Sequence, residues 1–129
     1  MLPEKAMRIC SSYSTVSPYI TKDGSLIREL MHPAVHGNRA QSLAEAIVPP
    51  GGETQLHQHL KTEELYHFTS GSGLMQIGGE RFCVKQGDTV CIPPGTLHAV
   101  RNTGSDDLRI LCACCPPYSH EDTKMVVTV

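Results

Sequence analysis

A chain of 129 residues is the size of one domain with one hydrophobic core, and it is read as such over its whole length. The formal net charge is −2, with 11 Lys and Arg scattered among 13 Asp and Glu, which excludes the basic footprint of a nucleic-acid binder. No apolar run is long enough to span a membrane, and MLPEKAMRICSS at the start lacks the apolar core of a secretory signal, so a cytoplasmic protein is expected.

The stretch to about Pro18 shows no clear period. From Leu26 to Leu30, LIREL alternates and reads as a strand. SLAEAIV, Ser42 to Val48, is short and apolar, and Pro49-Pro50-Gly51-Gly52 stops it. Then come TQLHQH from Thr54, ELYHF from Glu64, GLMQI from Gly73, RFCVK from Arg81, TVCI from Thr89, LHAVRN from Leu97 and LRILCAC from Leu108. Glycine, proline or asparagine punctuates each interval, supplying the positive or fixed φ that a turn needs. Short strands at this regular spacing predict an all-β sandwich or barrel. The tail after Pro116 carries no clear element.

His57 and His59 lie two apart. On a strand they share a face, with Cα atoms about 6.5–7 Å apart, so both imidazoles can reach one ion. Glu64 follows on the next strand. With Glu64 inward, Tyr66 and Phe68 also face the interior, which is the more apolar phase. Two histidines and a carboxylate with open positions suit iron, and equally manganese, cobalt, nickel or zinc. The six cysteines, Cys10, Cys83, Cys91, Cys112, Cys114 and Cys115, form no C-x-x-C pair. Cys112, Cys114 and Cys115 in LCACC are read as packed strand residues, the first two on one face, remote from the ion.

The second informative stretch is GDTVCIPPGTLHAVRN, Gly87 to Asn102. Gly51, His57, His59, Glu64 and Gly71 reproduce the pattern G-x5-H-x-H-x4-E-x6-G, and Gly87, Pro93, Gly95, His98 and Asn102 reproduce G-x5-P-x-G-x2-H-x3-N. These two motifs resemble those of the cupins. The flanks DGSLIREL, SLAEAIVPPGGETQLHQH and PPYSHEDT are similar to small single-domain bacterial cupins. The resemblance implies a double-stranded β-helix, the cupin jelly-roll barrel, with its motif-bearing core at about 42–115. It implies one divalent transition metal (Fe, Mn, Zn, Ni or Co) held by His57, His59, Glu64 and His98. It also implies a homodimer, with the N-terminal strands in the contact.

The expected pocket beside the ion is lined by Gln55, Tyr66, Phe68 and Val100, each in phase with a ligand. Arg28 and Arg109 are read as surface strand residues, His67 as exterior, and His32, His36 and His120 as solvated. A pocket of this kind suits a small, partly apolar molecule that chelates the metal. Two classes of function fit. One is a metalloenzyme of dioxygenase, decarboxylase or isomerase type acting on a small oxygenated substrate. The other is a non-catalytic module that binds or senses a small molecule or sugar through the metal. The sequence favours the enzyme and names no catalytic residue, and no nucleic acid or membrane partner is expected.

Overall fold

The computed structural model describes residues 8–126. Along the chain lie β1 (Tyr19–Ile20), β2 (Leu26–Met31), a four-residue helix α1 (Pro33–His36), β3 (Ser42–Val48), β4 (His57–His59) and β5 (Glu63–Ser70). There follow β6 (Ser72–Ile77), β7 (Glu80–Lys85), β8 (Thr89–Ile92), β9 (His98–Asn102), β10 (Leu108–Cys115) and β11 (Thr123–Met125). They form a six-stranded sheet in the order β1-β2-β3-β10-β5-β8 and a five-stranded sheet in the order β11-β4-β9-β6-β7. Every pairing between these strands is antiparallel. From β3 onward most connections cross from one sheet to the other, which is the jelly-roll path.

Alternating burial explains why these segments become strands facing one interior. In β5 Glu64, Tyr66 and Phe68 are buried, while Glu63, Leu65 and His67 are exposed. In β10 Leu108, Ile110, Cys112 and Cys114 are buried. The antiparallel register sets Cys114 beside Glu64, Cys112 beside Tyr66 and Ile110 beside Phe68. The interior therefore changes along one direction, from polar at Glu64 to apolar at Phe68. Phe68, Met75, Ile92, Val100, Leu108 and Ile110 are at most 1% exposed and fill the space between the sheets. Truncating Phe68 to alanine is worth about 3–5 kcal/mol by the usual cost of an aromatic cavity.

Three motif residues are structural. Gly71 has φ +91°, and a Cβ there would lie 2.8 Å from the Asp107 carbonyl oxygen. Asn102 is buried, and its Nδ2 donates to the carbonyls of Val48 and Asp106, both at 2.8 Å. Its Oδ1 accepts from the amide of Gly104 at 2.9 Å, so one side chain ties β9 to the end of β3 and to the next turn. Gly95 has φ +75° in the turn before β9, and its amide donates to the His59 carbonyl at 2.7 Å.

The fold departs from the sequence reading at both ends and in β4. TQLHQH is strand only from His57. Ahead of it the Thr54 amide donates to the Val100 carbonyl, the Thr54 hydroxyl accepts from the Val100 amide, and the Gln55 amide donates to the Asp23 carbonyl. A hydroxyl and a turn thus take over the ladder, and the period of two is lost. β1, α1 and β11 lie in stretches without a legible period. Each has four residues or fewer and is held by tertiary partners. No helix among the described residues is long and apolar enough to cross a membrane.

Candidate metal centre

β4 presents His57 and His59 on one face, and His98 opens β9 directly opposite His57. All three are at most 3% exposed. Ring centroids lie 4.2 Å apart for His57 and His98, 5.2 Å for His57 and His59, and 5.3 Å for His59 and His98. One ring nitrogen from each falls within 4.8 Å of the others. Glu64 reaches across from the other sheet. Its Oε1 is 3.1 Å from His59 Nε2 and 3.5 Å from His98 Nε2.

The outer nitrogens settle which atoms face inward. His57 Nδ1 donates to the Gln55 carbonyl at 2.7 Å, and His98 Nδ1 donates to the Thr96 carbonyl at 3.0 Å. A carbonyl only accepts, so each Nδ1 carries the proton. His59 Nδ1 lies 3.0 Å from Thr123 Oγ1, whose own hydroxyl proton goes to the Ser119 carbonyl at 2.8 Å. That oxygen therefore accepts as well. In the neutral rings all three Nε2 atoms are bare lone pairs, turned towards a carboxylate oxygen and one another. Glu64 Oε1 and His98 Nε2 are buried with no hydrogen-bond partner among the described residues. Lone pairs facing lone pairs in a buried site repel unless a cation or protons lie between them, and a divalent ion fits this donor set.

The electrostatics agree. Burial first, and then the neighbouring His98, hold His57 below the ordinary histidine range, which keeps it neutral. Burial pushes the Glu64 carboxyl up, but hydrogen bonding and charge from His59 and His98, supplied when those rings carry the extra proton that stands in for a cation, outweigh it and hold it at about 2. Behind it, the Cys114 thiol donates to Glu64 Oε2 at 3.3 Å, which turns Oε1 to the histidines. Burial, and then the charge of Glu64, push the Cys112 and Cys114 thiols well up, so both stay protonated and are poor metal ligands.

A cavity of about 40 Å³ opens beside the histidines. Tyr66 and Val100 line it. Gln55 does not: with the strand beginning at His57 its side chain is exposed, and its contribution is the carbonyl that orients His57. Phe68 is fully buried, but it packs edge-to-face behind Tyr66, 6.2 Å between centroids, rather than lining the cavity. Cys112 and Cys114 also line it, which corrects the expectation that the cysteine cluster lies elsewhere. Cys115 is on the outer face as its phase required. Arg28 and Arg109 both turn to Glu45, at 3.9 and 3.5 Å, away from the cavity. His67 is exterior, with Nδ1 2.7 Å from Thr89 Oγ1. His120 is exposed, whereas His32 is half-buried: Nδ1 accepts from the Ala34 amide, and Nε2 sits 2.8 Å from the Tyr118 carbonyl. His36 Nδ1 accepts from the His32 amide at 2.9 Å.

The acidic and phenolic side chains that escaped the sequence reading are Asp23, Glu29 and Tyr118 in the cavity, and behind His59 it missed Thr123. The first has a signal in hindsight, since Thr-Lys-Asp-Gly-Ser is an Asx-turn sequence, but nothing local aims that turn at the histidines.

The model of the cupin domain family matches residues 44–114, the segment that carries all four candidate ligands. This chain belongs to the cupin family. It is 53% identical over 118 residues to an uncharacterized protein of Methanocaldococcus jannaschii, covering 92% of this cupin and 94% of that protein. Among solved structures it is similar to the polyketide cyclase RemF of Streptomyces resistomycificus, with TM-score 0.79, 22% identity, and 95% and 88% of the two chains covered. It is also similar to a predicted oxalate decarboxylase of Thermotoga maritima, with TM-score 0.71, 26% identity, and 85% and 99% covered.

Proposed function

We propose that this cupin is a metalloenzyme that binds one divalent transition metal through His57, His59, Glu64 and His98 and acts on a small oxygenated organic molecule. One observation carries the reading: three buried Nε2 lone pairs and the unpartnered Glu64 Oε1 converge on one point. Four protein ligands would leave two of six positions for substrate or water, and a metal held there would supply Lewis-acid polarisation of a substrate oxygen. The chain's own residues do the rest. Tyr66, Val100 and Ile110 give the cavity an apolar wall. Burial, and then the charge of Glu64, push the Tyr66 phenol well above its ordinary range, so it stays protonated. The decarboxylase and cyclase among its structural neighbours are consistent with chemistry on a small oxygenated carbon skeleton.

Elemental analysis of protein purified without a metal-affinity tag tests the reading. About one transition metal per chain is expected, with at least a tenfold loss in His98→Ala. Full occupancy in that variant would sink the assignment.

A cytoplasmic homodimer completes the proposal. On the outer face of the six-stranded sheet, Met31, Leu43, Ala113, Leu65 and Cys91 stand in register across five strands. Leu43 and Leu65 are 38% and 41% exposed, and Ile9 of the N-terminal segment lies against the Met31, Leu43 and Ala113 end of the row. A second copy would cover this apolar row. Light scattering at micromolar concentration should give twice the chain's mass, and a monomer would reject it.

A further inference from the structure

The cavity beside the histidines is acidic well beyond what an ion requires. Asp23, in the turn before β2, and Glu29, on β2, line it together with Glu64. No lysine or arginine lines it among the described residues. Asp23 is held in one orientation. Its Oδ1 accepts from the Ser25 amide at 2.9 Å and from the Ser25 and Thr21 hydroxyls, both at 2.6 Å. That leaves Oδ2 on the cavity side, 3.7 Å from His57 Nε2. Glu29 Oε1 accepts from the Tyr19 hydroxyl at 2.9 Å, and Oε2 is buried with no partner among the described residues. Both carboxylates thus keep one oxygen anchored and one available to a hydrogen-bond donor. Facing them is the apolar side, with Ile27, Tyr66, Val100 and Ile110.

Charge decides what enters. With a divalent ion present, three carboxylates face two positive charges, so an anionic ligand meets net repulsion in a partly dry site. At separations of several ångströms and an effective dielectric near 20, each such charge changes affinity by about tenfold or more. A hydroxyl group, in contrast, gains an acceptor at Asp23 or Glu29. The volume, about 40 Å³, holds about three waters, so the bound part is small. The tyrosines feel the same field. Tyr118, which also lines the cavity, is pushed up to about 12, by burial first and then by the charge of Asp23, Glu29 and Glu64.

We propose that Asp23 and Glu29 are specificity residues that select a small neutral ligand bearing hydroxyl groups, such as a hydroxycarbonyl or diol, and reject carboxylate anions at this metal centre. The inference rests on the metal reading above and adds the substrate class to it. It separates this cavity from one built for oxalate, although a predicted oxalate decarboxylase is among the solved structures the fold resembles.

Hydroxyacetone and glycolate test it, because they share one skeleton and differ in a methyl group against an anionic oxygen. Each is titrated calorimetrically into protein loaded with one equivalent of Zn²⁺. In the Asp23→Asn/Glu29→Gln double variant, glycolate affinity should rise at least tenfold, and hydroxyacetone affinity should hold or fall. If the double variant does not fold, Asp23→Asn alone should show about a tenfold rise for glycolate. Unchanged glycolate affinity, or an equal shift for both ligands, overturns the proposal. So does loss of Zn²⁺ from Asp23→Asn, which would make Asp23 a ligand of the ion. A wild-type protein that takes up no Zn²⁺ defeats the metal reading itself, and the metal titration before ligand addition reports that separately.

Discussion

The stretch from β4 to β9 and the two flanks around it contribute different things to one cavity. The middle supplies the donor atoms: His57, His59, Glu64 and His98 all fall within 42 consecutive residues. The flanks supply what orients and charges them. Asp23 and Glu29 come from the turn before β2 and from β2 itself, Tyr118 and Thr123 from the tail and β11. All four donor residues lie on strands within one short stretch of chain, so two neighbouring motifs can carry them. Groups that only face the cavity can arrive from any segment that packs against it. The family motifs therefore carry the candidate ligands and are silent about what else faces the cavity.

Acid should break the middle hardest. Histidine ligands bind only when deprotonated, and their ordinary range is near pH ~6.5, so several protons compete with one metal ion. Metal affinity should fall by about 100-fold or more between pH 7 and pH 5, and a flat competition titration would contradict histidine ligation. Folding of the metal-free protein should follow the same direction. His57 titrates lower in the fold than its ordinary 6.5, so the unfolded chain binds the extra proton, and stability drops as pH falls through 6.5 towards the folded value. Glu64 is held at about 2 against an ordinary 4.5, so its contribution is present above 4.5 and is lost as pH falls from there towards 2. Thermal melts across pH 8 to 2 should show both declines.

The flank's orienting role should give a middle-sized effect. Thr123→Val keeps the shape but removes the acceptor for His59 Nδ1, and such partners are typically worth about 10–100-fold in metal affinity. An unchanged dissociation constant would mean that β11 packs against the site without orienting it. Cys114→Ala should be smaller still. It should cost about 1 kcal/mol of stability and leave metal content unchanged, because the thiol touches Glu64 Oε2 and not the oxygen that faces the histidines. A sulfur scatterer in the metal's X-ray absorption spectrum would overturn that. Gln55→Ala should do least, because His57 is held by the Gln55 backbone carbonyl, which the change leaves in place. A loss of metal beyond about threefold would show that the side chain takes part.

What could be read from the sequence follows the same division. The strands from β5 to β10 were legible to within a residue or two, because alternation and turn residues agree there. Period two puts Cys112 and Cys114 on one face, yet that this face is the inner one, beside Glu64, needed the pairing of β10 with β5. Gln55 shows the limit of period counting: one irregular step, made where the Thr54 hydroxyl takes the place of a ladder partner, turned it outward. Phe68 kept its phase but fell one layer too deep, which alternation alone cannot resolve. Asp23 and Thr123 were hidden for a different reason. They are turn and tail residues, and only tertiary packing brings them to the histidines.

The tail strand has a dynamic consequence. β11 has three residues, lies at the edge of its sheet and pairs with β4 opposite both histidines of that strand. Lys22 Nζ donates to the carbonyls of His120, at 2.7 Å, and Thr123, at 3.4 Å, and so pins the tail to the turn that carries Asp23. A short edge strand is where local opening is cheapest. Peeling it away would free His59 Nδ1 and loosen the Asp23 turn in one event. Amide exchange in Thr123–Met125 should then slow sharply once the ion is bound, and the rate at which metal leaves should track the fraying of the chain's end rather than unfolding of the barrel.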